Sequence, residues 1–184
     1  MEKKEVQIIA LSTSESSPGN YVLVLEDIAT KLRLPIIIGA FESQAIAVYL
    51  ERMNLPRPLT YDLFKNTLDA LGSTITEVLI HNFIDGVFYA WMMVQTIDGK
   101  VVKIEARPSD AIALGVRYDC PFYVYDFVLE EAGLADSEKK LNLIKGSIVN
   151  YSLKELEELL QNILEKEDYE SASRIRDIIE RRKK

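Results

Sequence analysis

A single histidine and a single cysteine are all that this 184-residue chain offers to imidazole or thiol chemistry. With His81 alone, metal sites and proton relays built on several imidazoles are excluded, and its place in a strand-like run points to a structural role. Cys120 has no second thiol to pair with, so no internal disulfide forms and nothing argues for an oxidising compartment. It precedes Pro121 with no histidine nearby, which reads as a buried, inert thiol. The longest uninterrupted apolar run, "VFYAWMMV", falls far short of the ~20 residues that span a bilayer as a helix. The start, "MEKKEVQIIALSTSESS", has no apolar stretch long enough for a secretory signal. A cytoplasmic protein without membrane association is expected. Neither G-x-x-x-x-G-K-[ST] nor G-x-G-x-x-G occurs, so the common nucleotide loops are missing. Strongly basic segments are missing too. A net charge of −7 argues against nucleic acid held on a broad basic surface, while leaving room for a local site.

What is present is a folded chain: 48% hydrophobic and 28% charged residues suit one ordinary domain with a small appendage. "VQIIALS" and "YVLVLED" are β-rich runs around a Ser-Ser-Pro-Gly-Asn turn, and "LRLPIIIGA" is a third strand. "FESQAIAVYLERMN" follows with apolar positions 41, 45, 46, 49 and 50 at helical spacing. A second helix is predicted in "LPRPLTYDLFKNTLDALG", with Thr60 as N-cap, apolar positions 63, 64, 68 and 71, and Gly72 as its stop. The period then changes to that of three strands, "ITEVLIHNF", "GVFYAWMMVQTI" and "KVVKIEA", joined at Asp85-Gly86 and Asp98-Gly99. The middle one is apolar on both faces and belongs inside the sheet or under a partner subunit. "PFYVYDFVLEEAG" is a strand running into a short helix. The fold class is α+β: a largely antiparallel or mixed sheet with packed helices, occupying 1–135.

Apolar patterning thins over a linker at 136–151, and 152–184 reads as a two-helix hairpin. Ser152 and Glu155 form a capping box, Leu153, Leu156, Leu160 and Ile163 make one seam, and Asp168 caps a helix bearing Ala172, Ile175 and Ile179. So small a hairpin buries little surface by itself and calls for a protein partner.

The richest stretch is "VVKIEARPSDAIALGVRYD", residues 101–119, a strand that turns into a helix across Arg107-Pro108-Ser109-Asp110. Alternation sets Lys103, Glu105 and Arg107 on one face and Val102, Ile104 and Ala106 on the other, toward the core. Pro108 suits the first helical turn and Asp110 sits at the positive end of the helix dipole. Arg107 with the helix terminus could hold a phosphate, and Glu105 with Asp110 a divalent cation or a proton. Ordinary capping plus a surface Glu105–Arg107 pair accounts for the same residues. "RPLTYD", with Arg57 and Asp62, repeats this grammar, and Glu42 is a third acid at a helix start.

"LPIIIGAFESQAIA", "RPLTYDLF", "DGVFYA" and "IEARPSDAIALGVRYDCPFYV", in this order, resemble the bifunctional nuclease domain, a family linked to DNase and RNase activity. The resemblance spans roughly 5–135. The tail, with "DYESASRIRD", is similar to the UVR motif, the helical hairpin of two subunits of the bacterial excision-repair nuclease, which some bacterial members of the family carry. By position, the resemblance implies Glu42, Asp62, Glu105 and Asp110 as catalytic carboxylates and Arg57, Arg107 and Ser109 as substrate-binding groups. It places Tyr61 where the family pattern Arg-Pro-x-Thr-His-Asp has histidine.

Three functions follow as expectations. The first is a nuclease of low sequence selectivity on DNA or RNA, in which Mg²⁺ or Mn²⁺, with Glu105 and Asp110 as candidate ligands, activates water. The second is a homo-oligomeric, non-catalytic adaptor that docks a partner through 152–184. The third is a sensor that binds a small anion or nucleotide in the same cleft.

Overall fold

The computed structural model describes residues 1–14 and 19–133, together with Arg176 and Ile179. Strands β1 (Lys3–Thr13), β2 (Tyr21–Asp27) and β3 (Arg33–Ile38) form an antiparallel meander. Helices α1 (Ala40–Leu50) and α2 (Thr60–Ala70) follow, then a second meander of β4 (Thr74–Ile84), β5 (Val87–Gln95) and β6 (Val101–Ala106). Helix α3 (Pro108–Gly115), a 3-10 turn (Val116–Tyr118), β7 (Phe122–Tyr125) and α4 (Asp126–Ala132) complete the described body.

The seven strands form one sheet in the order β3-β2-β1-β7-β4-β5-β6. The last and shortest strand, β7, joins the two meanders, antiparallel to β1 and parallel to β4. This is the α+β, mixed-sheet architecture expected from the change of hydrophobic period. β5 lies inside the sheet between β4 and β6, as its two apolar faces require. Asp85 and Gly86 both have positive φ, 51° and 80°, the backbone of the tight hairpin turn that an Asp-Gly pair favours. No described helix is long and apolar enough to cross a membrane.

The core lies where α1, α3 and α4 cover the sheet, with Ile46, Ile112, Val124 and Val128 wholly buried among Leu23, Leu25, Leu34 and Val78. Helix α3 comes unusually close. A Cβ on Gly115 would stand 2.7 Å from Phe122 and 2.9 Å from Val78, at the junction of β7 and β4. Glycine is needed there for proximity, since its helical backbone suits any residue.

Four expectations are corrected by the structure. Val102 and Ile104 are 45% and 39% exposed, although they stand opposite the buried Val94 and Met92. β6 is the outer strand, so its inward pattern runs beyond the core. On α1 the buried residues are Ser43, Ala45 and Ile46, while Phe41 is 84% exposed. Helix α2 buries none of its residues, and Leu63, Phe64 and Leu71 face outward. Its N-cap is Leu59, not Thr60, which is already helical. The linker at 136–151 lies outside the described residues, as does the hairpin at 152–184 apart from Arg176 and Ile179.

Gly115→Ala is expected to destabilise the protein by about 1–3 kcal/mol through overpacking. Urea unfolding checks this: the midpoint should fall at constant slope, and an unchanged midpoint would contradict so close a seating of α3.

Candidate active site

Each of the first three helices carries an acid at its third residue: Glu42 on α1, Asp62 on α2 and Asp110 on α3, after N-caps Gly39, Leu59 and Arg107. At that position an acid commonly folds back to accept the N-cap N–H. Only Asp62 is seen to do so, its Oδ2 accepting the Leu59 N–H at 2.8 Å. Glu42 and Asp110 turn to Arg107 instead. The guanidinium donates from Nε to Asp110 Oδ2 at 2.7 Å, and from Nη2 to Asp110 Oδ1 at 3.1 Å and Glu42 Oε1 at 2.6 Å. The Arg107 side chain remains 68% exposed while the carboxylates are largely covered. These bonds, first from Asp110 and then from Glu42, raise the Arg107 pKa further, so its charge is permanent.

Tyr61, on the first turn of α2, donates its hydroxyl to Asp110 Oδ1 at 2.6 Å. Burial, and then this bond, push its phenol well above the usual range. At neutral pH Tyr61 is therefore a hydrogen-bond donor and cannot serve as a proton-accepting base. Gly39 completes the arrangement. Its φ of −73° is open to any residue, but a Cβ there would overlap Glu42 Oε2.

A buried cation holds these helix starts together. Arg117, in the 3-10 turn, is 4% exposed. Its Nε donates to Asp62 Oδ1 at 2.7 Å, and its Nη1 to Ala45 O at 3.2 Å and Ala113 O at 2.6 Å, one acceptor on each of α2, α1 and α3. Its guanidinium also lies 5.6 Å from the Tyr61 ring and 5.7 Å from the Tyr49 ring. Burial pushes the Asp62 carboxyl up, but the bonds from Arg117 and from the Leu59 N–H prevail and hold it below the usual carboxylate range. A second tie runs from the Tyr118 hydroxyl to Asp69 Oδ1 at 2.8 Å and Lys65 O at 3.2 Å on α2.

The structure thus joins Glu42, Arg107 and Asp110 directly and adds Tyr61, whose ring leads on to Asp62 and Arg117. Arg57 is exposed in the wall of a cavity of about 830 Å³ that also includes Asp62, Arg117 and Asp119. Ser109 is buried beside Arg107 and lines a different cavity. Glu105 does not join the cluster. It pairs across the sheet with Trp91, close enough for its charge to act on His81, which stacks on Trp91 at 3.7 Å. Burial pushes the Cys120 thiol up to about 11, in keeping with an inert group.

Among the described residues no three of His, Cys, Asp and Glu gather as a metal-ligand set. Mg²⁺ is commonly held by one or two carboxylates with waters and substrate phosphate oxygens, and the carboxylates brought together here, on Arg107, are Glu42 and Asp110. Arg117 was not among the residues expected from sequence. It is a lone arginine in a short turn, without a periodic signal, and only tertiary contact shows what it does.

Comparison with known proteins adds a likeness along the same stretch. Residues 23–137 match the bifunctional nuclease domain. The chain is 38% identical over 130 residues to an uncharacterized protein of Mycobacterium tuberculosis, covering 71% of this chain and 76% of that protein. It is 24% identical over 126 residues to bifunctional nuclease 1 of Oryza sativa subsp. indica, covering 67% of this chain and 38% of that one. With bifunctional nuclease 2 of Arabidopsis thaliana the figures are 28% over 115 residues, 61% and 35%. The chain matches less than two fifths of the length of these plant relatives.

Asp62→Ala strands the Arg117 charge. The expected loss is about 2 kcal/mol at neutral pH, less than for a wholly buried pair because a third of the Asp62 side chain is exposed. Since the native pKa of Asp62 is depressed, its contribution is complete above the unfolded value of about 4 and disappears as pH falls through the lower native value. Urea unfolding as a function of pH should show the gap between wild type and variant closing below about pH 4. A gap that persists at lower pH would dissociate the stability from this ion pair.

Proposed function

The chain belongs to the bifunctional nuclease domain family, and on that premise we propose that it hydrolyses phosphodiester bonds of DNA or RNA with little sequence selectivity. The observation that supports this most is the exposed guanidinium of Arg107, fixed by Glu42 and Asp110 on its Nε and Nη2 edge. Its Nη1 has no partner among these bonds and is free to donate to a phosphate oxygen. The guanidinium is positioned before substrate arrives, so it stabilises charge developing on the phosphate without reorganising.

Glu42 uses Oε1 for Arg107, which leaves Oε2 to accept the proton of an attacking water. Asp110 orients Arg107, and Tyr61 in turn orients Asp110 from the place where the family pattern has histidine. Arg57, in the neighbouring cavity beside Asp62, extends the phosphate-binding track along the strand. Glu42 and Asp110 would also hold Mg²⁺ or Mn²⁺, an ion that supplies Lewis acidity and a more acidic bound water. Backbone recognition of this kind reads charge and geometry in preference to base identity.

A second reading, self-association, is favoured by one specific observation. Among the described residues β6 is an edge strand of the sheet, carrying exposed Val101, Val102 and Ile104. Helix α2, with its outward Leu63 and Phe64, ends against the β5–β6 hairpin, where Gly72 meets Ile97. An antiparallel edge is self-complementary about a twofold axis, which fits a second copy of this chain. The adaptor role of 152–184 concerns residues that lie, apart from Arg176 and Ile179, outside the described set.

Single-stranded DNA and RNA, assayed with Mg²⁺ or Mn²⁺ and with chelator, test the first reading. Arg107→Ala, Glu42→Gln and Asp110→Asn should each lower kcat about 100-fold. Gly39→Ala, which displaces the Glu42 carboxylate, should lower it about tenfold with folding intact, while Glu105→Ala stays within about threefold. Unchanged cleavage in the first three variants would remove the site, and absence of cleavage by wild type would remove the activity.

Sedimentation tests self-association. The wild type should run as an oligomer that Ile104→Lys shifts toward monomer, and a monomeric wild type would end that reading.

A further inference from the structure

Beside Arg107 lies a second cavity, of about 540 Å³, that plays no part in the hydrolysis as described. It falls within the range of about 300–1,000 Å³ typical of small-molecule sites. Its polar lining is Arg107 and Ser109, at the start of α3, and Glu131 of α4. The walls are otherwise apolar: Ile36 and Ile38 come from β3, and Phe83 and Phe88 from the two sides of the β4–β5 hairpin. The two phenylalanine rings stand 4.4 Å apart, tilted by 35°.

Ser109 is 7% exposed and lines this cavity. A serine hydroxyl on the first turn of a helix, with a guanidinium alongside, is an arrangement that suits an anionic oxygen. A phosphate alone would not account for the aromatic and aliphatic walls. An apolar planar group attached to a phosphate accounts for both kinds of lining.

Resting on the nuclease reading, we propose that this cavity is a nucleobase subsite, which takes one unpaired base of a single-stranded substrate while Ser109 and Arg107 hold the phosphate attached to it. The base lies against Phe83 and Phe88, and the Glu131 carboxylate, an acceptor only, takes an N–H on the base edge. Arg107 borders both this cavity and the Glu42–Asp110 cluster, so the bound nucleotide lies next to the bond to be cut. A base paired in a duplex cannot enter, which makes single strands the substrate class. Stacking tolerates any base, consistent with low sequence selectivity.

Fluorescence anisotropy of the full chain, with chelator present to prevent cleavage, tests the subsite. The probes are a labelled ten-nucleotide oligodeoxyadenylate, an abasic strand of equal length and charge, and a blunt duplex. The base-bearing single strand should bind about tenfold more tightly than the other two. Phe88→Ala should bring it down to the level of the abasic strand, and Ser109→Ala should weaken both single strands about threefold. Equal affinity for all three probes, no binding, or a base preference retained in Phe88→Ala would overturn the proposal. Cleavage by wild type in Mg²⁺, measured separately, distinguishes the two readings. A base preference without cleavage sinks the nuclease and spares the subsite, and cleavage without a base preference does the reverse.

Discussion

The ion pair and hydrogen bonds of Arg117 are the interaction on which the rest of the site depends. One guanidinium, almost without solvent contact, reaches Asp62 on α2, a carbonyl of α1 and a carbonyl of α3. A buried charge is costly to leave unpaired, so these acceptors are held at fixed positions relative to one another. Helix α2 depends on this most, because it fully buries none of its own residues and only Tyr61 and Leu68 pack, half-buried, against the core. Polar ties add to that packing, through Asp62 and through the Tyr118 hydroxyl. That attachment sets Tyr61 over Arg117 and within reach of Asp110.

Equivalent acids at three helix starts have different fates, and geometry decides between them. Asp62 is spent on its own N-cap and on Arg117, which makes it structural first. Glu42 and Asp110 are turned toward an exposed arginine, which leaves a charged group presented to solvent in a fixed orientation. Capping and chemistry, which are indistinguishable from local sequence grammar, are here divided among the three residues. Tyr61 connects the two groups: its ring lies on the buried arginine and its hydroxyl on the carboxylate that orients the exposed one. At this position the phenol is a hydrogen-bond donor to Asp110.

Packing against the sheet explains why the cluster stands open. Gly115 lets α3 lie close over the β7–β4 junction, so the helix begins at the end of β6 with Arg107 projecting from the corner. The close approach comes with buried Ser109 and leaves the cavity bounded by β3, the β4–β5 hairpin and α4. A phosphate held at that corner therefore has an apolar cavity on one side and the carboxylates on the other.

The sequence by itself determined the elements, because hydrophobic period and turn chemistry are local. The seven strands, the turns at Asp85-Gly86 and Asp98-Gly99 and the helix starts near Gly39, Leu59 and Arg107 are visible in residues a few positions apart. The motif residues Glu42, Arg107 and Asp110 were visible as well, as charged groups at those starts. Tertiary structure alone decided which of them meet. Glu105, two residues from Arg107, stays with Trp91 on the sheet, whereas Glu42, 65 residues away, reaches it. It also decided that β6 is an edge, so that Val102 and Ile104, patterned for a core, remain exposed. Arg117 carried no sequence signal, since what makes a lone arginine structural is burial among three helices, and burial is a property of the assembled fold.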